Sequence, residues 1–325
     1  MGGAAVKVLI APDSFKGTYR AAEVADAVAA GAESAGLETI RMPVADGGDG
    51  TLAVLTGPLG LELIEIDSVN PWRAPCAGSF GLGEDGTAVV ELATFSGITT
   101  PHKGFRDPMT ADTYGTGLAM AEAVRRGATH VVVAAGGSAT TDGGLGAIAA
   151  VMDAGGLGTA TVTVLTDVTT RYTDAARVFG PQKGADATTV ERLTRRLEDA
   201  AVTLPRDPRE VDGTGAAGGF AGGMWAQFGA DLRSGADFVL DALGFDTALA
   251  GADLVVVGEG RLDGQSRSGK IVSAILARVH AAPVVAVVGS VGDDLGDYRD
   301  RFAEIMIATD LDALRAAGAR LARLG

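Results

Sequence analysis

Cysteine, histidine and lysine are scarce in this chain. Of 325 residues one is cysteine, three are histidine and five are lysine. A lone Cys76 excludes an intramolecular disulfide and a cysteine zinc cluster. His102, His130 and His280 lie far apart and lack metal-ligand spacing. Any catalysis must therefore rest on carboxylates, lysines, hydroxyls and backbone amides. No apolar run reaches the roughly 18 residues of a membrane span. Asp13 comes too early for a signal peptide, and Val6 breaks the myristoylation pattern. The expectation is a soluble cytoplasmic protein. A net charge of −14 leaves no broad basic face, which argues against nucleic acid and anionic membranes as partners.

Glycine is abundant instead, with 48 copies, about twice the usual ~7%. Four of the lysines (Lys16, Lys103, Lys183 and Lys270) adjoin a glycine, and only Lys7 does not. Lysine is thus concentrated at turns where backbone can approach a ligand, as suits a compact ammonium near phosphate. In "GEGRLDGQSRSGKI", Gly264, Gly269 and Lys270 have the spacing of a phosphate-binding loop. The Ser or Thr that should follow is Ile271. In so glycine-rich a chain the spacing arises by chance with a probability of roughly 0.1, so it is weak alone.

Short apolar runs alternate with helical patterns at both chain ends. "VKVLIA", "ADLVVV", "PVVAVVG" and "AEIMIA" read as strands buried on both faces. Helices are expected over 19–35, in "IVSAILARVHA" and in "LDALRAAGARLARL". The middle differs. "GLELIEID", "CAGSFGLG" and "TAVVELA" are shorter, partly alternating and separated by turns, which predicts antiparallel pairing. Helices follow near 111–126, after "SATTDGG", and near 188–201 and 216–228, with strands at "HVVVAAGG" and "TATVTVLTD". The fold class is α/β with two α/β domains. Residues 1–60 and 250–325 would form a mostly parallel, flavodoxin- or Rossmann-like sheet from both chain ends. Residues 61–249 would form an inserted domain with a mixed sheet, leaving the active site in a cleft between the two.

Five loops combine Gly with Asp, Ser or Lys at strand ends or helix starts: "APDSFKGT", "ADGGDGT", "GGSATTDGG", "FGPQKGA" and "GEGRLDGQSRSGK". Glycine turns N–H groups toward a ligand, and a helix N-terminus favours phosphate. Lys16, Lys183 and Lys270 can supply countercharge, and Asp46, Asp49, Asp142, Glu259 and Asp263 are hard oxygens suited to magnesium. Each loop also has a structural reading. Asp13 and Ser14 suit a helix cap, Asp49 a helix N-terminal charge, and Thr141 or Asp142 a cap after a strand. "GTGAAGG" contains G-x-G-x-x-G, but no strand precedes it. That leaves an NAD-dependent oxidoreductase unsupported and favours close helix packing.

In their order these loops, with "ELATFSGI", "TYGTG" and "GAAGG", resemble the bacterial glycerate kinase family, of the D-glycerate kinase, glycerate 2-kinase type. The match runs from residue 9 to residue 270. The resemblance implies a two-domain α/β enzyme that phosphorylates a hydroxyl of D-glycerate with ATP and Mg2+, giving 2-phosphoglycerate, with 3-phosphoglycerate the less favoured alternative. Lys16, Asp46 and Asp263 are the expected catalytic residues. Asp13, Ser14, Gly47, Gly136, Gly137, Ser138, Thr140, Gln182, Lys183, Gly258, Gly269 and Lys270 are expected to bind nucleotide or substrate. Asp46, Glu259 and Asp263 are the expected metal ligands. The expected partner is a small hydroxy acid, and a homodimer is compatible with it. Asp49 replaces the family's usual Glu and Thr141 its usual Asn. A segment before "VTVLTDV" is shortened, and the family's D-V-D-N-P-L reads "DVTTRY", keeping Asp167 but not the second Asp, the Asn or the Pro. A diverged paralogue that binds without turnover is the alternative those departures raise.

Overall fold

The computed structural model describes residues 6–264 and 271–324. The chain opens with β1 (Lys7–Pro12), α1 (Ala21–Ser34) and β2 (Glu38–Arg41). It continues through α2 (Thr51–Thr56), β3 (Glu62–Val69), β4 (Pro75–Leu82), β5 (Thr87–Glu91), α3 (Leu92–Ser96), α4 (Tyr114–Arg125), β6 (His130–Ala134), α5 (Leu145–Asp153) and β7 (Thr161–Leu165). Next come α6 (Ala175–Phe179), α7 (Ala187–Thr203), α8 (Phe220–Phe228) and β8 (Asp231–Arg233). The last stretch holds α9 (Gly235–Ala242), α10 (Phe245–Leu249), β9 (Leu254–Leu262), α11 (Ile271–Arg278), β10 (Val284–Val291), β11 (Glu304–Ile307) and α12 (Leu311–Arg320).

Two compact units result. The first comprises residues 1–46 and 236–325, the second residues 47–235. The expected junctions, after 60 and after 249, fall instead after 46 and 235. Short α2, α9 and α10, which the sequence reading did not separate, account for the shift.

The first unit is a five-stranded sheet in the order β11-β10-β9-β1-β2, with every pairing parallel. Alternate residues of one strand serve opposite faces. Val8 and Ile10 pack with α1 and α12, whereas Leu9 and Ala11 pack with α9, α10 and α11. Helices α1 and α12 lie almost backbone to backbone. A Cβ on Gly31 would stand 1.9 Å from the Arg315 carbonyl oxygen. Only a residue without a side chain permits that approach.

The second unit has six strands in the order β3-β4-β5-β6-β7-β8. The β3–β4 and β4–β5 pairs are antiparallel, as the alternating patterns predict, and the rest are parallel. Val131, Val133 and Val164 build its core with Met120, Phe220 and Met224. A smaller cluster under α7 gathers around Tyr172, Leu193 and Leu197. Among the described residues no helix is long and apolar enough to cross a membrane.

Candidate active site

In the first unit the chain changes direction across the sheet between β1 and β9, which are parallel neighbours. Ligands collect at such a switch point, beyond the carboxyl ends of the strands. A cavity of about 470 Å³ lies there. Asp13, Ser14 and Lys16 reach it from the end of β1, Asp46 from beyond β2, and Glu259, Arg261 and Asp263 from the end of β9 and just beyond. Ser290 and Thr309 come from the next two strand ends, and Ile271 from the first turn of α11.

Asp13 and Ser14 do not cap α1. That helix begins at Ala21, where the Glu23 carboxylate accepts the Arg20 N–H at 2.8 Å. The Asp13 N–H instead donates to the Gly258 carbonyl at 2.8 Å, so Gly258 serves this loop through its backbone. The Asp13 carboxylate accepts the Ser14 N–H at 2.6 Å. Burial, then the neighbouring Asp46 carboxylate, pushes the Asp13 carboxyl up to about 7, against the opposing pull of Lys16. Lys16 Nζ stands 3.9 Å from Asp46 Oδ2 and remains largely exposed. Asp263 pairs with Arg261 at 3.3 Å.

Among the described residues no three His, Cys, Asp or Glu side chains could hold a metal ion together. The cavity still fits magnesium. That ion takes one or two carboxylates and completes its shell with phosphate oxygens and water. Carboxylates crowded enough to raise one another's pKa, as Asp46 and Glu259 raise that of Asp13, are relieved by a cation. Gly269 and Lys270 lie outside the described residues.

The second unit gathers a separate set at the carboxyl ends of β5 and β6. After β6, Gly136 lies against the loop that opens α2. Its N–H donates to the Gly47 carbonyl at 3.2 Å, and a Cβ there would stand 2.5 Å from Gly48 Cα. Gly137 and Ser138 pair with the "ELATFSGI" segment, through the Gly137 carbonyl to Ile98 N–H bond and a Gly97–Ser138 bridge. Lys183, in a 3-10 turn at Pro181–Lys183, donates to Ser138 Oγ at 2.9 Å and to the Thr140 carbonyl at 2.6 Å. Burial pushes its ammonium down to about 7, while Asp142 pulls the other way. Gln182 shares the turn but is exposed.

Asp142 is a structural residue. Its fully buried carboxylate accepts the Thr113 N–H and hydroxyl and the Gly144 and Gly146 N–H groups. It thereby fixes the starts of α4 and α5, a cap rather than a magnesium ligand. "GTGAAGG" packs closely too, as expected: the Gly218 carbonyl accepts the Gly143 N–H. The "DVTTRY" departure is likewise built in. Asp167 accepts the Gly235 N–H at 2.9 Å, and buried Tyr172 donates to the Gly143 carbonyl at 2.9 Å.

Glu91 was not singled out as a site residue by sequence reading, although it ends an apolar strand and opens the quoted "ELATFSGI" motif. It is buried, and its carboxylate accepts the Gly50 N–H and the Thr51 N–H, the latter at 3.0 Å. Burial, then Asp49, pushes it up to about 7.

Comparison with known proteins gives the family. A model of the "Glycerate kinase family" matches residues 8–155 and 154–321. The chain belongs to the glycerate kinase family. It is 33% identical to the glycerate 2-kinase of Escherichia coli K12, over 90% of this chain and 87% of that one. It is 35% identical to the glycerate kinase of Bacillus subtilis 168, over 89% of this chain and 86% of that one. A crystal structure from Salmonella typhimurium LT2, provisionally named glycerate kinase 2, superposes with a TM-score of 0.82 at 29% identity, covering 99% of this chain and 98% of that one. The family therefore extends over both units and across the "DVTTRY" departure.

Proposed function

We propose that this enzyme transfers the γ-phosphoryl group of ATP to the 2-hydroxyl of D-glycerate, giving 2-phosphoglycerate and ADP. The carrying observation is the cavity at the β1–β9 switch point, where Lys16 faces Asp13, Asp46 and Glu259 in a member of this family. A relative 33% identical over 90% of this chain bears the name glycerate 2-kinase, which favours the 2-position.

Phosphoryl transfer is mostly positioning and charge stabilisation. Lys16, largely exposed, meets charge on the transferred group. Asp46 or Asp263 takes the hydroxyl proton as the acceptor oxygen bonds to phosphorus and the ADP oxygen leaves. The backbone at the start of α11 favours phosphate at its N-terminus. When bound with ATP, magnesium would neutralise phosphate charge, and one or two of Asp46, Glu259 and Asp263 would hold it, with phosphate oxygens and water completing its shell.

The test is ATP turnover with D-glycerate, with and without magnesium, read by phosphorus NMR. A magnesium-dependent 2-phosphoglycerate signal is the expected result. A 3-phosphoglycerate signal would overturn the regiochemistry. ATP binding by folded protein with no phosphoglycerate formed would favour the diverged, non-catalytic alternative.

A further inference from the structure

The Lys183 side chain is half-buried, and its ammonium has no counter-ion among the described residues. Among the described residues no carboxylate lies within ion-pair distance of it, and its two bonds go to a hydroxyl and a carbonyl. Asp142 is the acid whose charge it feels. That carboxylate is already saturated by donors from Thr113, Gly144 and Gly146. A charge withdrawn from water without a partner is costly, and such cost is retained where a ligand supplies the missing partner.

The hydrogen-bond bookkeeping points the same way. An ammonium has three hydrogens, and among the described residues two of them find acceptors. Ser138 Oγ accepts from Lys183, so its own hydrogen must go elsewhere, and among the described residues no acceptor takes it. The neighbouring Thr140 hydroxyl is fully buried and also has no partner among them. A third ammonium hydrogen and a serine hydrogen thus remain available side by side. Two donors, one of them charged, suit an oxyanion with two oxygens.

We propose that Lys183 and Ser138 form the subsite that binds the carboxylate of the acid substrate. This rests on the reading of the protein as a kinase of a hydroxy acid, and it sets substrate specificity: acids are accepted, and their amides and the parent polyols are not. Lys183 binds the ground-state acid, so its removal acts on KM for the acid, not on nucleotide affinity.

The experiment compares wild type with Lys183→Met and Ser138→Ala. It measures kcat and KM for D-glycerate and for D-glyceramide, calorimetric affinity for a non-hydrolysable ATP analogue, and melting temperature. Losing the charged partner of a carboxylate should raise the glycerate KM about 100-fold in Lys183→Met. In Ser138→Ala about 10-fold is expected. Nucleotide affinity should stay unchanged, and the preference for acid over amide should collapse. Because an uncompensated buried charge is removed, the melting temperature of Lys183→Met should be held or raised, whereas a purely structural lysine would lower it. An unchanged glycerate KM, or a loss of nucleotide affinity instead, overturns the proposal. Should Lys183→Met fail to fold, Ser138→Ala decides by the same acid-to-amide ratio. If wild type turns over no hydroxy acid, the kinase reading has failed separately, and calorimetry with glycerate and glyceramide decides the subsite. Binding of the acid alone retains it, and binding of neither overturns it.

Discussion

Glu91 and Thr51 are joined by a 3.0 Å hydrogen bond, the carboxylate of one accepting the backbone N–H of the other. The same carboxylate takes the Gly50 N–H, so a strand end holds the start of α2. Its pKa is raised from 4.5 to about 7, which makes the folded state bind the proton more tightly than the unfolded chain does. Stability from this group is therefore lost as pH rises from about 4.5 to about 7. A Glu91→Gln variant keeps the carbonyl acceptor and removes the charge. It should match wild type at low pH, gain on it across that window and stay ahead above it. Glu91→Ala, which leaves both N–H groups without their acceptor, should lose about 1–2 kcal/mol even at low pH. Denaturant titrations at pH 4, 6 and 8 check all three.

Lys16→Met should cut kcat by about 100-fold or more, if the ammonium stabilises the charge on the transferred group. The side chain is largely exposed, so the melting temperature should not move. Steady-state kinetics with a thermal melt on the same preparation check this. Near-normal turnover would take Lys16 out of the chemistry.

Much of this arrangement is legible in the sequence because it is carried by local pattern. Runs such as "VKVLIA" and "ADLVVV" can only be strands covered on both faces, and they became the parallel neighbours β1 and β9. The glycine-and-acid loops followed strand ends, and three of their acids, Asp13, Asp46 and Glu259, line one cavity. What escaped was set by contact between distant residues. Lys183 and Ser138 stood in separate motifs, and nothing in either says that one donates to the other across the fold. Asp142 carries the same carboxylate as a magnesium ligand, and only its four donors identify it as a cap. Five-residue helices such as α3 and α6 are too short to show a period, and the unit boundaries moved with such short elements.

Gly218→Ala should damage the second site without touching a ligand. Gly218 has φ +68°, and a Cβ there would stand 2.0 Å from the Thr140 carbonyl oxygen. That carbonyl is the one Lys183 holds at 2.6 Å. A methyl group must displace it, and the left-handed backbone adds its own strain. The expected cost is about 2 kcal/mol or more in stability, with a raised KM for the acid and unchanged nucleotide affinity. Gly17→Ala is the control: its φ is also positive, at +81°, but nothing lies within 4 Å of the added Cβ. It should show the backbone strain without the displacement.

The affinity for acid should depend on pH through Lys183. Its folded pKa is lowered from 10.5 to about 7, with burial as the leading cause and the Asp142 charge opposing it. A carboxylate needs the ammonium form. The free site loses that form as pH rises through about 7, while a bound carboxylate restores it by drawing the pKa back up. KM for the acid should therefore be flat below pH 7 and rise by up to about tenfold per pH unit above it. In Lys183→Arg the guanidinium stays charged throughout, so the rise should vanish even if the longer side chain binds less well. The stability effect has the opposite slope. The cost of enclosing the charge is fully present below about pH 7 and is relieved as pH climbs toward 10.5. Any stability advantage of Lys183→Met over wild type should accordingly shrink at alkaline pH. A KM that rises with pH while that advantage shrinks is what an enclosed ammonium awaiting a carboxylate requires. A lysine serving only to pin the Thr140 carbonyl would leave the KM profile flat.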